Sequence, residues 1–397
     1  MSLGRRTDIL VVGGGAVGVA HAIAAVRAGR TVRLIDRHHE ARGASVRNFG
    51  MIWPIGQPVG PFHDLAVRSA MLWRQVAAEV GFRCDPCGSL VAAYAADEYA
   101  VLEEFLALSG SGATRRMVSA DEAREMSPGL RPDGLLGGLF STTELAVDPA
   151  DCMRAMRAWL AVHPACDVRT GSAATRVTTG EVELVNGRVY EAEQIVVCTG
   201  SDFETLFDEE YAAMPLQRCK LQMLATVPQP DGWRLGPHLA AGLTLRWYPS
   251  FAGCPTLPAL RERISREMPA YDRYGIHLLV SQRADGSIVI GDSHEYAERP
   301  DPFRTELIDE LLLEYLGRRL NLPDPQIQSR WMGVYLQRTD KQPVMSHEPA
   351  PGVRIVNALG GSGMTLSMAL ADRTMQAVDG PGSERAMSGA LGRSDAG

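Results

Sequence analysis

The order of apolar and polar positions at the start of the chain predicts a strand–helix–strand unit. Residues 8–12 form an apolar run rich in valine, which predicts a buried parallel strand. Several glycines follow, and a helical pattern then covers residues 17–28. A second apolar run at residues 31–35 predicts another strand, and this strand ends on the acidic residue Asp36.

The rest of the pattern predicts more alternating helices and strands, followed by a region dominated by strands. Within that region, Asp285-Gly286 predicts a hairpin turn between two strands. The predicted helices cover residues 61–80, 97–108, 119–126, 149–162, 304–320 and 364–378. The predicted strands cover residues 89–94, 181–185, 188–190, 194–197, 220–227, 243–248, 276–281, 287–291 and 353–356, with a further strand beginning at 168.

The glycines between the first strand and the first helix have the spacing of a dinucleotide-binding turn. Gly13 permits a tight turn, Gly15 permits close approach of a pyrophosphate, and Gly18 permits close packing of the helix on the strand. The helix that follows presents free N–H groups and a partial positive charge to phosphate oxygens. Asp36 is placed to accept hydrogen bonds from a ribose. The stretch fits NAD and FAD equally well.

A second glycine turn near the C-terminus favours FAD. Gly360-Gly361-Ser362-Gly363 follows a predicted strand and precedes a helix beginning at Met364. NAD needs only the first turn, whereas a flavin ring extends well beyond the pyrophosphate. A helix N-terminus at this turn can stabilise the negative charge of the reduced flavin.

Composition and charge exclude several classes of protein. The chain has 397 residues and a net charge of -7, and it has no basic run with interleaved aromatic residues, which argues against nucleic-acid binding. No apolar run approaches the ~18 residues of a membrane span, so a cytoplasmic protein is expected. The seven cysteines are scattered, and the Cys84-x-x-Cys87 pair lacks a second pair at zinc-site spacing, so no metal is expected.

These observations predict an α/β fold with a Rossmann-type FAD-binding domain and an inserted α+β substrate domain built on an antiparallel sheet. The FAD-binding domain is predicted for residues 1–85, 149–214 and 331–380, the substrate domain for residues 86–148 and 215–330, and a disordered tail for residues 381–397.

Several segments together resemble the FAD-dependent amine and D-amino-acid oxidoreductases, a family that includes glycine oxidase and sarcosine oxidase. The resemblance covers almost the whole chain. It rests on the opening glycine turn with Asp36, on Arg42-Gly43-Ala44-Ser45-x-x-Asn48-x-Gly50, on residues 195–200, and on Trp331-x-Gly333, Asp340-x-x-Pro343 and Gly361-x-Gly363-Met364. Residues 43–54 and 291–295 resemble a subgroup associated with bacterial phosphonate breakdown.

The resemblance implies non-covalently bound FAD and a set of contacts to it. The implied cofactor-binding residues are Gly13, Gly15, Ala16, Val17, Gly18, Asp36, Arg37, Arg42, Ser45, Asn48, Gly50, Met51, Thr199, Gly200, Gly361, Gly363, Met364 and Thr365.

One position departs from the resembled pattern. Glycine oxidase-like members have an arginine two residues after the glycine of Trp-x-Gly, where it binds the substrate carboxylate, and this chain has Tyr335 there. A substrate with a different anionic group, such as a phosphonate, is therefore expected. The predicted catalytic residues are Tyr335, His294 and Arg338, and the predicted substrate-binding residues are Arg246, Tyr248 and Met51.

The resulting hypothesis is oxidation of a small amine, in which hydride passes from the carbon next to nitrogen to flavin N5 and the imine is hydrolysed. Oxygen or another acceptor would reoxidise the flavin. A glycine or D-amino-acid oxidase or dehydrogenase, a flavin hydroxylase, an NAD dehydrogenase and a non-catalytic FAD-binding subunit are the alternatives.

Overall fold

The computed structural model describes residues 4–110, 114–340 and 342–379. The tail predicted for 381–397 lies outside these residues. The strands are β1 Arg6–Val12, β2 Val32–Asp36, β3 Met51–Ile52, β4 Cys84–Asp85, β5 Ser89–Ala93, β6 Arg115–Ser119, β7 Gly137–Ser141, β8 Leu145–Val147, β9 Cys166–Thr170, β10 Ala174–Thr178, β11 Glu181–Leu184, β12 Val189–Val197, β13 Leu216–Pro228, β14 His238–Ala241, β15 Leu279–Gln282, β16 Ser287–Gly291, β17 Glu295–Ala297, β18 Ile327–Arg338, β19 Met345–Ala350 and β20 Val353–Asn357.

The α-helices are α1 Ala16–Arg27, α2 Pro61–Val80, α3 Ala96–Ser109, α4 Ala120–Met126, α5 Pro149–Val162, α6 Asp208–Ala212, α7 Leu257–Glu267, α8 Pro269–Arg273, α9 Glu306–Arg319 and α10 Gly363–Asp379. Local signals explain several of their ends. Asp148 caps α5 by accepting N–H bonds from Ala150 and Asp151, and Gly81 ends α2 in the left-handed conformation. Ser119 and Glu122 form the capping box of α4.

The first layer is an eight-stranded sheet with a parallel centre. Strands β9, β2, β1, β12 and β20 lie side by side and pair in parallel, and β10, β11 and β19 add antiparallel strands. Helices α1, α2, α5 and α10 contribute to one apolar core that includes strand residues of this sheet, and a second core contains Leu10, Val12 and Ile355. The parallel strands, with helices packed on one face and the glycine turn between β1 and α1, confirm the predicted Rossmann-type fold.

The second large sheet has nine strands and is almost entirely antiparallel. Its order is β17-β13-β16-β15-β14-β5-β7-β6, and β18 pairs with β13 along most of its length. The apolar core on this sheet includes residues of α3, α7 and α9. The predicted antiparallel sheet is confirmed. The predicted boundary between the two domains at residue 331 stays a prediction, and it falls inside β18.

One predicted strand is wrong, the strands predicted at 188–190 and 194–197 are the single strand β12, and several elements, among them α7, α8, β14 and β19, were not predicted. Residues 243–248 are not a strand, because Gly242–Arg246 form a 3₁₀ helix. Leu243 and Leu245 are both buried, and a short run that is buried all round has no periodicity to separate strand from helix. The predicted strand at 276–281 begins only at Leu279, and the long strand β18 was not predicted as a strand.

Among the described residues, no helix combines the length and apolar character needed to cross a membrane.

Candidate active site

A cavity of about 1470 Å³ runs from the first glycine turn to the nine-stranded sheet. Sites for a single drug-sized ligand occupy roughly 300–1,000 Å³, so this cavity has room for a dinucleotide and a second small molecule. Most predicted cofactor residues line it, and the exceptions are Gly18, Gly50, Met51 and Thr365. The lining residues in that group are Gly13, Gly15, Ala16, Val17, Asp36, Arg37, Arg42, Ser45, Asn48, Thr199, Gly200, Gly361, Gly363 and Met364.

The first glycine turn packs as closely as its sequence predicts. Gly13 has a φ of 105°, and a Cβ added there would lie 2.2 Å from the carbonyl oxygen of Cys198. A Cβ on Gly18 would lie 1.8 Å from the carbonyl oxygen of Gly13, so only glycine lets α1 approach the turn. The backbone N–H of Ala16 donates to Ser45 Oγ at 2.9 Å, which places this hydroxyl at the N-terminus of α1.

Asp36 is held by both neighbouring and distant groups. The N–H of Gly14 donates to its Oδ2 at 2.9 Å, and the N–H of His38 donates to its Oδ1 at 2.8 Å. Arg157 on α5 donates to Oδ2 at 3.1 Å and also to the carbonyl oxygens of Gly14, His38 and His39. The buried Arg157 thus fixes the end of β2 against the glycine turn. The sequence analysis did not identify it.

Asn48 and Gly50, two other predicted cofactor residues, fix the conformation of the loop at residues 42–50. Asn48 donates to the carbonyl oxygen of Ala44 at 2.8 Å and accepts from the N–H of Gly50 at 2.8 Å, which closes the loop. Gly50 has a φ of 72°, and a Cβ there would lie 2.0 Å from the carbonyl oxygen of Val147. Gly50 and Met51 therefore support the loop from outside the cavity lining, and Met51 is not placed to touch a substrate.

The second glycine turn meets the same cavity from the opposite side. Gly360–Ser362 form a 3₁₀ turn that leads directly into α10 at Gly363. Thr365 Oγ1 accepts from the N–H of Trp53 at 3.0 Å, so this residue ties the start of α10 to the segment that follows the loop at residues 42–50. Asn357 donates to Thr199 Oγ1 at 3.3 Å and thereby joins β20 to the end of β12.

The residues present fit FAD. Two helix N-termini, those of α1 and α10, face one continuous cavity, and a carboxylate at the end of β2 lies beside the first. A Cβ added to Gly15 would lie 2.9 Å from Ser45 Oγ, so the cradle at that turn depends on the absence of a side chain.

Tyr335 lies at the junction between the second glycine turn and the nine-stranded sheet. It sits on β18 opposite Cys219 on β13, and a Cβ on Gly361 would lie 3.6 Å from its hydroxyl. Desolvation raises the pKa of Tyr335 well above its usual value, so the hydroxyl stays neutral and can both donate and accept. Tyr248 also lines the cavity, and burial raises its pKa in the same direction.

The two predicted arginines do not converge with Tyr335. Arg246 is buried, pairs with Asp272 and donates to the carbonyl oxygens of Leu243 and Ile276, and it does not line the cavity. Its predicted role in substrate binding is therefore wrong: its guanidinium holds a helix and a loop together.

Arg338 lines the cavity but is bound to the neighbouring Asp340 through two of its nitrogens. This hydrogen-bonded pair raises the pKa of Arg338 and lowers the pKa of Asp340. Successive side chains of a strand point to opposite faces, so Arg338 and Tyr335 lie on different faces of β18. Arg338 therefore does not replace an arginine at position 335.

The polar groups at the sheet end of the cavity are a carboxylate and two imidazoles. Asp292 and His277 are 4% exposed each, and one ligand atom from each of Asp292, His277 and His294 lies within 4.8 Å of the others. His294 Nε2 is 3.8 Å from Asp292 Oδ2, and the rings of His277 and His294 lie in tilted contact with their centres 4.2 Å apart. His294 was predicted as a site residue, whereas Asp292 was not singled out and His277 was interpreted as structural. The sequence signal that could have pointed to this cluster is the spacing of Asp292 and His294, which lie two positions apart just after β16.

Burial changes the protonation of this cluster. It raises the pKa of Asp292 to about 6, and the neighbouring His294 opposes part of that shift. It also lowers the pKa of His277 well below its usual value, so that ring is neutral at physiological pH.

The same three side chains are a possible metal-ligand set, but their geometry does not fit one. Metal–ligand distances of ~2.1 Å place neighbouring ligand atoms of a tetrahedral site about 3.4 Å apart, which is less than the 3.8 Å between His294 Nε2 and Asp292 Oδ2. The two imidazoles face each other at an interplanar angle of 31°, whereas two ligands of one ion aim nitrogens at a common point. We assign no metal to the described residues.

The fold and the cavity define a dinucleotide-binding oxidoreductase, and comparison with known proteins gives its family. A family model described as "DAO: FAD dependent oxidoreductase" matches residues 8–377. The chain belongs to this FAD-dependent oxidoreductase family, and FAD is its cofactor.

Individual relatives are more distant. Glycerol-3-phosphate dehydrogenase 1 of Mycobacterium bovis is 28% identical over 205 residues, which are 48% of this chain and 40% of that protein, so the match spans well under half of that relative. Glycine oxidase from Bacillus cereus is similar in structure, with a TM-score of 0.77, 17% identity and coverage of 98% and 99% of the two chains. Iminodiacetate oxidase from Chelativorans sp. BNC1 has a TM-score of 0.68, with 19% identity and coverage of 95% and 96%. These two structures support the fold.

Proposed function

We propose that this chain catalyses FAD-dependent oxidation of a small anionic secondary amine at a carbon next to nitrogen, and that an N-methylated aminophosphonate is a substrate. The observation that carries this proposal is Tyr335, which occupies the position of a carboxylate-binding arginine and lies beside the second glycine turn. The imine product would be hydrolysed to an aldehyde and an amine. Oxygen or another acceptor would complete the cycle.

The donor set at the sheet end of the cavity supports a non-carboxylate anion. In the described part of the chain, the nine-stranded sheet and its loops contribute one arginine to the cavity lining. This arginine is Arg338, and it is bound to Asp340. Tyr335, Tyr248 and Tyr296 also line the cavity and are potential hydroxyl donors. A phosphonate has three acceptor oxygens and can bind several separate hydroxyl donors, whereas a carboxylate is best held by a planar bidentate arginine.

When bound, FAD supplies the two-electron acceptor for this chemistry, and the protein's part is binding and orientation. Ser45, Asn48 and the two helix N-termini would hold the cofactor. Tyr335 would position the substrate beside Gly361. The surrounding buried apolar residues, which include Leu279, would exclude water.

A second candidate is oxidation of a phosphorylated alcohol, because the curated relative is a glycerol-3-phosphate dehydrogenase. A glycine or D-amino-acid oxidase and a non-catalytic FAD-binding subunit are further alternatives. Mixing the purified protein with each candidate donor in the absence of oxygen separates these functions, because a donor that reduces the flavin bleaches its visible absorbance. The set would comprise N-methylated aminoethylphosphonate, sarcosine, glycine, several D-amino acids and glycerol 3-phosphate.

We expect the aminophosphonate to bleach the flavin fastest. Faster bleaching by glycerol 3-phosphate would establish the alcohol reaction, and faster bleaching by glycine would contradict the argument from Tyr335. A flavin that no member of the set bleaches would contradict the proposed reaction.

Tyr335→Arg tests the position directly. We expect it to slow flavin reduction by the preferred donor by about tenfold or more, because a bulky cation replaces a neutral hydroxyl at the cofactor junction. Tyr335→Phe, which removes the hydroxyl alone, should produce a smaller loss. Ser329→Arg places the same cation on an exposed position of β18 outside the cavity and should leave the rate unchanged. Equal rates for Tyr335→Arg and the wild type would place Tyr335 outside the site.

A further inference from the structure

Asp292, His277 and His294 form a buried polar cluster with atoms that the protein itself leaves unpaired. Asp292 Oδ1 and both ring nitrogens of His277 are buried and have no hydrogen-bond partner. Buried polar atoms without a partner destabilise a protein, and such a cluster points to a group that binds it. All three side chains line the cavity, which places the missing partner there.

His277 offers the second acceptor of the cluster. Its ring is neutral, so one nitrogen carries a proton and the other keeps a lone pair. His294 is held beside it, with Nδ1 3.1 Å from the carbonyl oxygen of Gly275 and Nε2 3.8 Å from Asp292 Oδ2. The cluster therefore offers one carboxylate acceptor and one imidazole acceptor.

The spacing of these acceptors fits an ammonium nitrogen. Hydrogen bonds of ~2.9 Å from a tetrahedral nitrogen reach acceptors that are about 4.7 Å apart. The three ligand atoms of the cluster lie within 4.8 Å of one another, so one substrate nitrogen can reach Asp292 and a neighbouring imidazole together. The indole of Trp247, which stacks on both imidazole rings, adds an electron-rich wall that suits a cation.

We propose that Asp292 is the proton acceptor for the substrate amine and that His277 accepts the second N–H of the same nitrogen. This inference rests on the proposed amine oxidation. In the step, one N–H bond of the ammonium breaks, the proton moves to a carboxylate oxygen of Asp292, and the electron pair stays on nitrogen. The neutral amine is then the species oxidised, with FAD as the two-electron acceptor.

The protonation behaviour of Asp292 suits this role. Its pKa of about 6 leaves it ionised at neutral pH and makes it a stronger base than an exposed aspartate. The titratable groups that face it are His277, His294, Tyr248, Tyr296, Tyr335 and Cys219. Burial raises the pKa values of Tyr248, Tyr335 and Cys219, so these groups are neutral where Asp292 titrates.

The test is the rate of anaerobic flavin reduction from pH 5 to pH 10, measured with the amine that reduces the wild type fastest. In the wild type, the rate should fall as the pH drops through about 6, because the carboxylate becomes protonated and can no longer accept. Asp292→Asn keeps the shape of the side chain and removes the base. We expect this variant to be about a hundredfold slower near pH 7.5, which is a typical contribution of a general base.

The recovery of the variant at high pH separates a proton acceptor from a structural residue. As the pH rises toward the pKa of the free amine, solvent supplies a growing share of neutral substrate, so the rate of Asp292→Asn should climb steadily toward that of the wild type. A loss that is the same at every pH, or no loss, would overturn the assignment. The flavin content and visible spectrum of Asp292→Asn should match those of the wild type.

Asp285→Asn is the matched control. Asp285 lies in the turn at the opposite end of β16 and bonds only to Ser287. This variant should reproduce the wild-type pH profile, and a shifted profile would overturn the assignment to Asp292. If no amine reduces the wild type, the proposed function itself fails. If amines reduce the wild type and Asp292→Asn equally well, the function stands and only the inference about Asp292 fails.

Discussion

Replacing Gly18 by alanine is expected to yield protein that purifies without FAD and unfolds at a much lower temperature. The added Cβ would lie 1.8 Å from the carbonyl oxygen of Gly13 and 3.2 Å from a methyl group of Val11. Backbone atoms cannot rotate away as a side chain can, so α1 must shift off the strand that it covers. We expect a loss of about 3 kcal/mol or more in the free energy of unfolding, at the upper end for overpacked cores.

Gly317→Ala is the matched control, because Gly317 is also a helical glycine. It lies near the end of α9, where an added Cβ meets nothing within 4 Å. Alanine there should stabilise the protein by up to ~1 kcal/mol and leave flavin content unchanged. Thermal unfolding and the visible flavin spectrum check both variants, and release of the flavin on acid denaturation checks that it is bound non-covalently. Normal FAD content in Gly18→Ala would contradict the close packing of α1.

Replacing Arg157 by alanine should produce the second large loss. Arg157 is 7% exposed and donates to Asp36 and to three backbone carbonyl oxygens around the first glycine turn. Its removal leaves the largely buried carboxylate of Asp36 without its ion-pair partner. Breaking such a pair typically costs about 3 kcal/mol in stability. Since the same bonds hold Asp36 against Gly14, we also expect weaker FAD binding, measured by titrating the apoprotein.

Arg154→Ala gives the comparison on the same helix. Arg154 forms an exposed i,i+3 pair with Asp151, with both side chains more than 60% accessible. Surface pairs contribute ~0–1 kcal/mol, so this variant should behave like the wild type. Equal stability and FAD affinity in Arg154→Ala and Arg157→Ala would show that Arg157 does not fix the turn.

The parts of the site whose residues lie close together along the chain could be predicted from the sequence. The first glycine turn and Asp36 lie within 24 residues, and Gly18 is required by the backbone of its own turn, because its added Cβ would meet the carbonyl oxygen of Gly13. The second glycine turn is equally local, because a strand, a turn and a helix follow one another directly. Periodicity and glycine spacing are sufficient for such units, which is why the Rossmann-type fold was predicted correctly.

The parts that depend on distant partners could not be predicted. Arg157 reaches Asp36 across 121 residues, and no local pattern marks one arginine of an amphipathic helix as buried. Arg246 was predicted to bind the substrate because the sequence does not show that Asp272 is its ion-pair partner. Asp292 meets His277 only because residues 276–279 lead into β15 beside β16. Pairing between strands determines these contacts, and the sequence alone does not specify that pairing.

The two faces of β18 pack against different parts of the molecule. Tyr335 faces the side of Leu221 and Met223, whereas Leu336 packs into the core that contains Leu10 and Ile355. A substitution at Tyr335 therefore changes the wall of the cavity while the neighbouring Leu336 keeps its contacts with the core of the parallel sheet.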